Sequence, residues 1–258
     1  MLKDFVELRR KRLVEYINAN GSADVAQLAQ IADVAEATIR RDLMELERTK
    51  LIHRTHGGAI RRERPALWQT TALQDRMGAR LEVKERIAQC ASQLINSGES
   101  LMVDGGSTTL LLARRLAEKG RLMVITNTST IAEVLVENQS NHVLMTGGQL
   151  VNDTLAMVGP VAEQMLSQYR ADKAIIGVSG ILLGQGLFAA IPQEAQIKRL
   201  MIQNSRETIV VADSTKIGTR ALALICNFER IGTLVTDKAI DKASKLSLEK
   251  AGITVLAV

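Results

Sequence analysis

Apolar positions change their rhythm near residue 81. Before it, they recur at helical spacing in short segments; after it, helix-period segments alternate with short continuous apolar runs. Within residues 5–19, Val6, Leu13, Val14 and Ile17 predict a first helix, closed at Asn20-Gly21, where glycine accepts a left-handed backbone. Asp24 predicts the N-cap of a second, short helix carrying Val25, Leu28 and Ala29. Ala32-Asp33-Val34 turns the chain into a third helix over residues 34–46, with Ile39, Leu43 and Leu46 on one buried face. The opposite face then presents Ala37 and Arg41, flanked by Thr38 and Glu45, with Arg40 and Met44 to one side. Helix, short helix, tight turn, helix is the order of a helix-turn-helix. Little bulk, a hydroxyl and two guanidiniums suit a helix entering a DNA major groove, although a solvated basic face reads the same way in isolation.

Alternation over residues 51–62 into Gly57-Gly58 and out again predicts a hairpin. Arg54, His56 and Gly57 at its tip are candidates for phosphate or minor-groove contact. His53 and His56 are equally compatible with solvated turn residues, and no cysteine or carboxylate cluster makes them a metal site. Residues 63–80, with Pro65, Trp68 and Gly78, predict a linker holding a helical piece, and Trp68 is expected to pack on a neighbouring domain or subunit.

From residue 81 onward, strands are predicted at 100–103, 122–126, 142–146, 173–178, 208–212, 233–236 and 253–258. Helices are predicted between most of them, at 81–95, 108–118, 130–137, 193–204 and 242–250. This alternation implies an α/β fold with a largely parallel sheet. Ligands in such sheets bind beyond the carboxyl ends of the strands, so the residues just after each strand carry the information. Asp104-Gly105-Gly106-Ser107-Thr108-Thr109 is the richest such loop: two glycines allow close approach, a helix N-terminus offers free N–H groups, and three hydroxyls can bond an anion. Ser107 as an ordinary N-cap is the alternative. The loop lacks the Gly-Lys-Ser/Thr ending of a nucleotide P-loop and the spacing of a dinucleotide fingerprint. Thr126-Asn127, Gly147-Gly148 and Asp213 with Lys216 stand at further strand ends. Glu194 and Lys198, four residues apart on one helix, are either site residues or a surface pair.

Composition narrows the class. The 258 residues are 46% hydrophobic and 24% charged, which suits a globular protein with a small and a medium domain. Aromatic residues are only 2%, so the cores must be built from Leu, Ile, Val, Ala and Met. Net charge is +5, and residues 1–64 carry 13 Lys/Arg against 10 Asp/Glu. The basic residues there cluster as Arg9-Arg10-Lys11-Arg12, Arg40-Arg41 and Arg61-Arg62, as a phosphate backbone would want. No 18-residue apolar run is present, and Met1-Leu2-Lys3-Asp4 leads into an amphipathic helix and not a signal segment. No membrane association is expected. Cys90 and Cys226 match no metal spacing and are expected to be buried reduced thiols in a cytoplasmic protein.

Thr38-Ile39-Arg40-Arg41-Asp42-Leu43, then Leu46-Glu47, then Arg54-Thr55-His56-Gly57-Gly58-Ala59 together resemble the DNA-binding domain of the DeoR family of bacterial transcriptional regulators. The resemblance continues through the Asp104–Thr109 loop, Gly159-Pro160, Gly177, Gly180-Ile181, Glu194-Ala195, Lys198-Arg199 and Ala212-Asp213-Ser214-Thr215-Lys216. It thus covers nearly the whole chain. Three positions depart from the family's usual pattern: Ala35 replaces a serine, Lys50 a glycine, and Leu182 an aspartate.

The resemblance implies a winged helix-turn-helix over residues 1–62, a linker over 63–80 and an effector domain over 81–258. That domain is related in fold to ribose-phosphate isomerase, glucosamine-phosphate isomerase and the CoA-transferases. It implies a repressor of a carbohydrate-catabolism operon, bound as a homodimer or homotetramer to double-stranded operator DNA and released by a phosphorylated sugar, with no cofactor. Ala37, Thr38, Arg40, Arg41, Glu45, Arg54, His56 and Gly57 are the expected DNA contacts. Asp104–Thr109, Thr126, Asn127, Gly147, Gly148, Glu194, Lys198, Asp213 and Lys216 are the expected effector contacts. The competing function is a sugar-phosphate isomerase with an accessory DNA-binding domain. Such an enzyme needs a positioned base, yet residues 177–184 hold no carboxylate, histidine or lysine, which leaves Asp104 and Glu194 as the candidate bases.

Overall fold

The computed structural model describes residues 2–49, 51–55, 57–61 and 70–258. The chain divides into two compact units, Met1–Arg64 and Pro65–Val258.

The first unit runs α1 (Leu2–Asn20), β1 (Ser22–Asp24), α2 (Val25–Ala32), α3 (Glu36–Arg48), β2 (Ile52–Arg54) and β3 (Gly58–Arg61). Gly21 takes φ +80° to end α1. Asp24 caps α2 in a full capping box with Gln27. Asp33, in the left-handed region, makes the turn between α2 and α3. Leu13, Ile17, Leu28, Ile39, Leu43, Leu46 and Ile52 form the core. The antiparallel sheet has the order β1-β3-β2, so the predicted hairpin gains a third strand that its own pattern did not reveal. Gly58 permits that strand: a Cβ there would stand 2.1 Å from the Ala23 carbonyl oxygen.

The second unit begins with α4 (Leu73–Gly78), inside the span read as a linker, and α5 (Leu81–Gln93). A seven-stranded parallel sheet follows, from β4 (Ser100–Val103), β5 (Met123–Thr126), β6 (His142–Met145), β9 (Ala171–Ile176), β12 (Ser205–Val211), β14 (Thr233–Thr236) and β15 (Thr254–Ala257), in the order β15-β14-β12-β9-β4-β5-β6. These are the seven runs read as strands. Side chains alternate between two buried faces. Leu101, Val103, Ile175, Ile209 and Val211 pack with α5, α6 (Ser107–Lys119) and α7 (Ser129–Val136). Met102, Ala174, Ile176 and Val210 pack with α8 (Pro160–Ser167), α9 (Pro192–Gln203) and α10 (Lys242–Lys250). Burial on both faces is what makes each strand read as a continuous apolar run.

Two smaller antiparallel pieces complete the unit: the hairpin of β7 (Gln149–Val151) and β8 (Ala156–Val158), and a three-stranded sheet of β10 (Gly180–Leu182), β11 (Gly186–Ala189) and β13 (Ala223–Cys226). From β4 the chain winds outward to β5 and β6, then returns to β9 beside β4 and winds the other way. The crevice between β4 and β9 is therefore the topological switch point, where open α/β sheets place their ligands.

Candidate DNA interface and effector site

In the first unit, α3 is held from below and open above. Its N-cap Ala35 makes no side-chain cap bond, so the helix start forgoes the roughly 1 kcal/mol that a serine contributes there. Ala37, Arg40 and Arg41 are exposed, while Thr38 and Glu45 are half-buried. Arg40 donates from Nη2 to Glu36 Oε2 at 2.7 Å, and Arg48 pairs with Glu45. Arg54 and Gly57 are exposed at the hairpin, and the Arg54 N–H donates to Glu47 Oε1 at 3.1 Å. His56, Trp68 and Lys50 lie outside the described residues.

Asp42 was not anticipated. It lies on α3 among the core residues with its side chain 3% exposed, accepting from Arg9 Nε at 2.7 Å and Arg10 Nε at 2.8 Å. The cluster Arg9–Arg12, read as facing phosphates, is thus half committed internally. Those two arginines lock α1 to the recognition helix.

In the second unit, Asp104 follows β4 at the switch point and is 1% exposed. Its Oδ2 accepts from Lys198 Nζ on α9 and from the Gly177 N–H at 3.2 Å, just after β9. One carboxylate thus ties the two strands that flank the switch to the helix above them. Burial pushes the Asp104 carboxyl up from its usual range and Glu194 adds to this, while Lys198 and the Gly177 N–H oppose it. Glu194 is also buried, accepting from Thr154 Oγ1 at 2.5 Å. The surface-pair reading of Glu194 and Lys198 is therefore incorrect: each faces inward to a different partner.

The Asp104–Thr109 loop is tied to a neighbour. The Gly105 N–H donates to Asn127 Oδ1 at 3.0 Å, and Asn127 Nδ2 donates back to the Met157 carbonyl at 3.4 Å in β8. Gly106, not Ser107, is the N-cap of α6; Ser107, Thr108 and Thr109 form its buried first turn. Thr109 Oγ1 donates to the Gly106 carbonyl at 3.0 Å. Thr126, at the end of β5, is fully buried and its Oγ1 finds no partner among the described residues.

Four predicted residues, Gly147, Gly148, Asp213 and Lys216, make no bond to this cluster among the described residues. Gly147 and Gly148 both have positive φ, and a Cβ on Gly148 would meet the Val158 carbonyl oxygen at 2.5 Å. Gly148 thus serves the close packing of β8. Asp213 accepts from Arg80 Nη1 at 2.9 Å and from the Thr215 N–H at 3.1 Å, and Lys216 is half-buried one turn on. Arg80 also donates to Asp237 at 2.9 Å.

Residues that no motif marked complete the surroundings. Arg76 on α4, Arg80 and Lys84 all stand in or beside the presumed linker. Lys84 is 6% exposed, and its Nζ donates to the Arg76 carbonyl. Burial lowers the Lys84 ammonium, against the pull of Asp213. The cysteines are half-buried and unpaired, less enclosed than expected. Among the described residues no helix is long and apolar enough to cross a membrane.

A winged helix-turn-helix exposing a short basic face, joined to an α/β unit with a polar crevice at its switch point, defines a DNA-binding transcriptional regulator with a sensor domain. Family models agree, one for a DeoR-like helix-turn-helix domain over residues 9–64 and one for a DeoR C-terminal sensor domain over residues 79–238. The chain belongs to the DeoR family of transcriptional regulators. It is 34% identical over 248 residues to the HTH-type transcriptional regulator GlpR of Haloferax volcanii, covering 96% of each chain. It is 31% identical over 229 residues to the glycerol-3-phosphate regulon repressor of Escherichia coli, covering 89% of this chain and 90% of that one. Among solved structures it is similar to ribose 5-phosphate isomerase A of Methanocaldococcus jannaschii, with TM-score 0.41 and 17% identity over 54% of this chain and 55% of that one. That likeness is too distant to bear on activity.

Proposed function

We propose that this protein represses a carbohydrate-catabolism operon in the cytoplasm and leaves its operator when a phosphorylated sugar or related intermediate occupies the switch-point crevice. Residues 1–62 read DNA, 63–80 join, and 81–258 sense. Ala37, Thr38, Arg40 and Arg41 meet the major groove, with Glu45 beside them and Arg54, His56 and Gly57 on the backbone. A homodimer or homotetramer supplies paired recognition helices, so the operator contains repeated half-sites.

The observation that carries the sensing half is the Asp104 ligation of Gly177 and Lys198. It sets the Gly105–Thr109 loop and the start of α6 across the switch point, with N–H groups and hydroxyls around it. The loop is suited to an anion, the remaining predicted residues to the sugar. The relative named as a glycerol-3-phosphate regulon repressor supports the same chemistry. Effector occupancy must favour a state with poorer DNA affinity, since only differential binding shifts such an equilibrium.

The test is a gel shift of the full chain on DNA from upstream of its own gene, with phosphorylated sugars and their unphosphorylated counterparts added. Release by phosphorylated members only is expected. Arg41→Ala is expected to lose operator binding while keeping the ligand-induced rise in melting temperature. Operator binding unchanged in that variant would remove α3 from the interface. Release by unphosphorylated sugars alone would overturn the phosphate reading.

A further inference from the structure

Among the described residues of the second unit, one guanidinium has two solvent-shielded nitrogens with no hydrogen-bond partner. Arg76 Nε and Nη2 are shielded from solvent, and neither makes a hydrogen bond among the described residues. Leaving a buried donor unmet costs free energy, more so for a charged one. Glu194, Asp104 and Asp153 are near enough to act on the guanidinium electrostatically, yet none bonds those two nitrogens. Glu194 is held by Thr154 and Asp104 by Lys198.

The position of Arg76 is itself held from three sides. Leu73 N–H donates to the Asp153 carbonyl at 2.8 Å, Lys84 Nζ to the Arg76 carbonyl, and α4 packs on α6, whose first turn is the anion loop. A rigidly mounted planar fork with free donors matches the paired oxygens of a phosphate or carboxylate.

Building on the sensor reading above, we propose that Arg76 is the guanidinium that pairs with the effector's anionic group. Because α4 is the first helix of the second unit among the described residues, this pairing is also the step that reports occupancy toward the DNA-binding unit. Pairing with the effector supplies acceptors for Arg76 Nε and Nη2 and so adds to what holds α4. Occupancy of the loop alone would bind the effector without sending a signal through α4.

The experiment compares full-length wild type with Arg76→Gln and Arg76→Lys. The probes are inorganic phosphate, glycerol 3-phosphate and ribose 5-phosphate, against chloride at equal ionic strength. Melting temperature and operator release are read together. Wild type is expected to be stabilised by at least one phosphate ester. Arg76→Gln is expected to need at least roughly tenfold more of it, as follows from losing one or two charge-assisted bonds. Arg76→Lys is expected to recover part of the affinity, since charge remains but the fork is lost. Without any probe, Arg76→Gln is expected to melt within a few degrees of wild type, because the two unbonded nitrogens have no hydrogen bond to lose and only the attraction of Glu194, Asp104 and Asp153 is given up. Equal ester affinity in wild type and Arg76→Gln would overturn the role of Arg76 and leave the sensor reading standing. So would a ligand-free melting temperature well below wild type, which marks a structural arginine. No stabilisation of wild type by any probe would overturn the phosphate reading and the role of Arg76 with it.

Discussion

Replacing Lys198 by methionine removes the cation from a pair whose side chains are only 5% and 1% exposed. The aliphatic stem is largely kept, so packing changes little and the electrostatic loss dominates. Removing one partner of a buried pair costs about 3–5 kcal/mol, because the other charge is left without compensation. Asp104 keeps the Gly177 N–H, at 3.2 Å, so the low end of that range, about 3 kcal/mol, applies at neutral pH. For a unit of this size that is a fall of roughly 6–12 °C in melting temperature. The loss must also depend on pH. Without Lys198 the buried carboxyl holds its proton in the folded state after the unfolded chain has released it. A folded value raised in this way leaves stability intact below about pH 4 and removes it as pH rises. The variant is thus expected to approach wild type in acid and to fall away toward pH 8. Adding Asp104→Asn should restore most of the loss at neutral pH, since no bare charge is then buried. Calorimetric melts of wild type and the two variants at several pH values provide the measurement. A Lys198→Met penalty equal at pH 5 and pH 8, or one that Asp104→Asn does not relieve, would refute the reasoning.

Two further outcomes test other parts of the structure. Asp42→Ala strips the acceptor from Arg9 and Arg10, whose side chains keep 21% and 30% exposure and can partly rehydrate; a cost of about 2–3 kcal/mol is expected. In a unit of some 64 residues that cost is roughly 10–20 °C in a circular-dichroism melt, and a shift of a degree or two would show that the lock is idle. Burial raises the Cys226 thiol to about 11, against Arg199 and Arg230. The folded state therefore keeps that proton while the unfolded chain loses it above about pH 8.5, and stability should decline from there upward. Cys226→Ala should flatten the decline, and an identical slope in the variant would contradict it.

The parallel sheet was legible because both of its faces are buried, which prints each strand as an unbroken apolar run. The hairpin of β7 and β8 and the sheet of β10, β11 and β13 were not. Those strands are three or four residues long, too short to show a usable period, and their exposure varies from Gln149–Val151, largely exposed, to Gly186–Ala189, mostly buried. The strand β1 is likewise invisible locally, since Ser22–Asp24 has one buried residue and pairs only because β3 arrives beside it. In the site, the Asp104–Thr109 loop was legible because strand, glycines and helix are adjacent in the chain. Its actual ligation was not, since Gly177 and Lys198 lie 73 and 94 residues away. Arg76 and Lys84 carry no local mark at all. Their significance comes from what α4 and α5 are packed against. Asp42 sits in the most recognisable stretch of the chain, yet nothing in that stretch marks its internal task.

That internal task alters how the protein meets a chromosome. Affinity for arbitrary DNA grows with the number of counterions a protein displaces, at about 0.9 in the salt exponent for each phosphate neutralised. Arg9 and Arg10 hold a carboxylate of their own chain and displace few, whereas the exposed Arg40–Glu36 pair opens at a cost of about 0.5 kcal/mol. The binding domain is therefore less adhesive than its arginine content suggests. A smaller salt exponent for binding arbitrary DNA than the arginine count alone would give is the consequence.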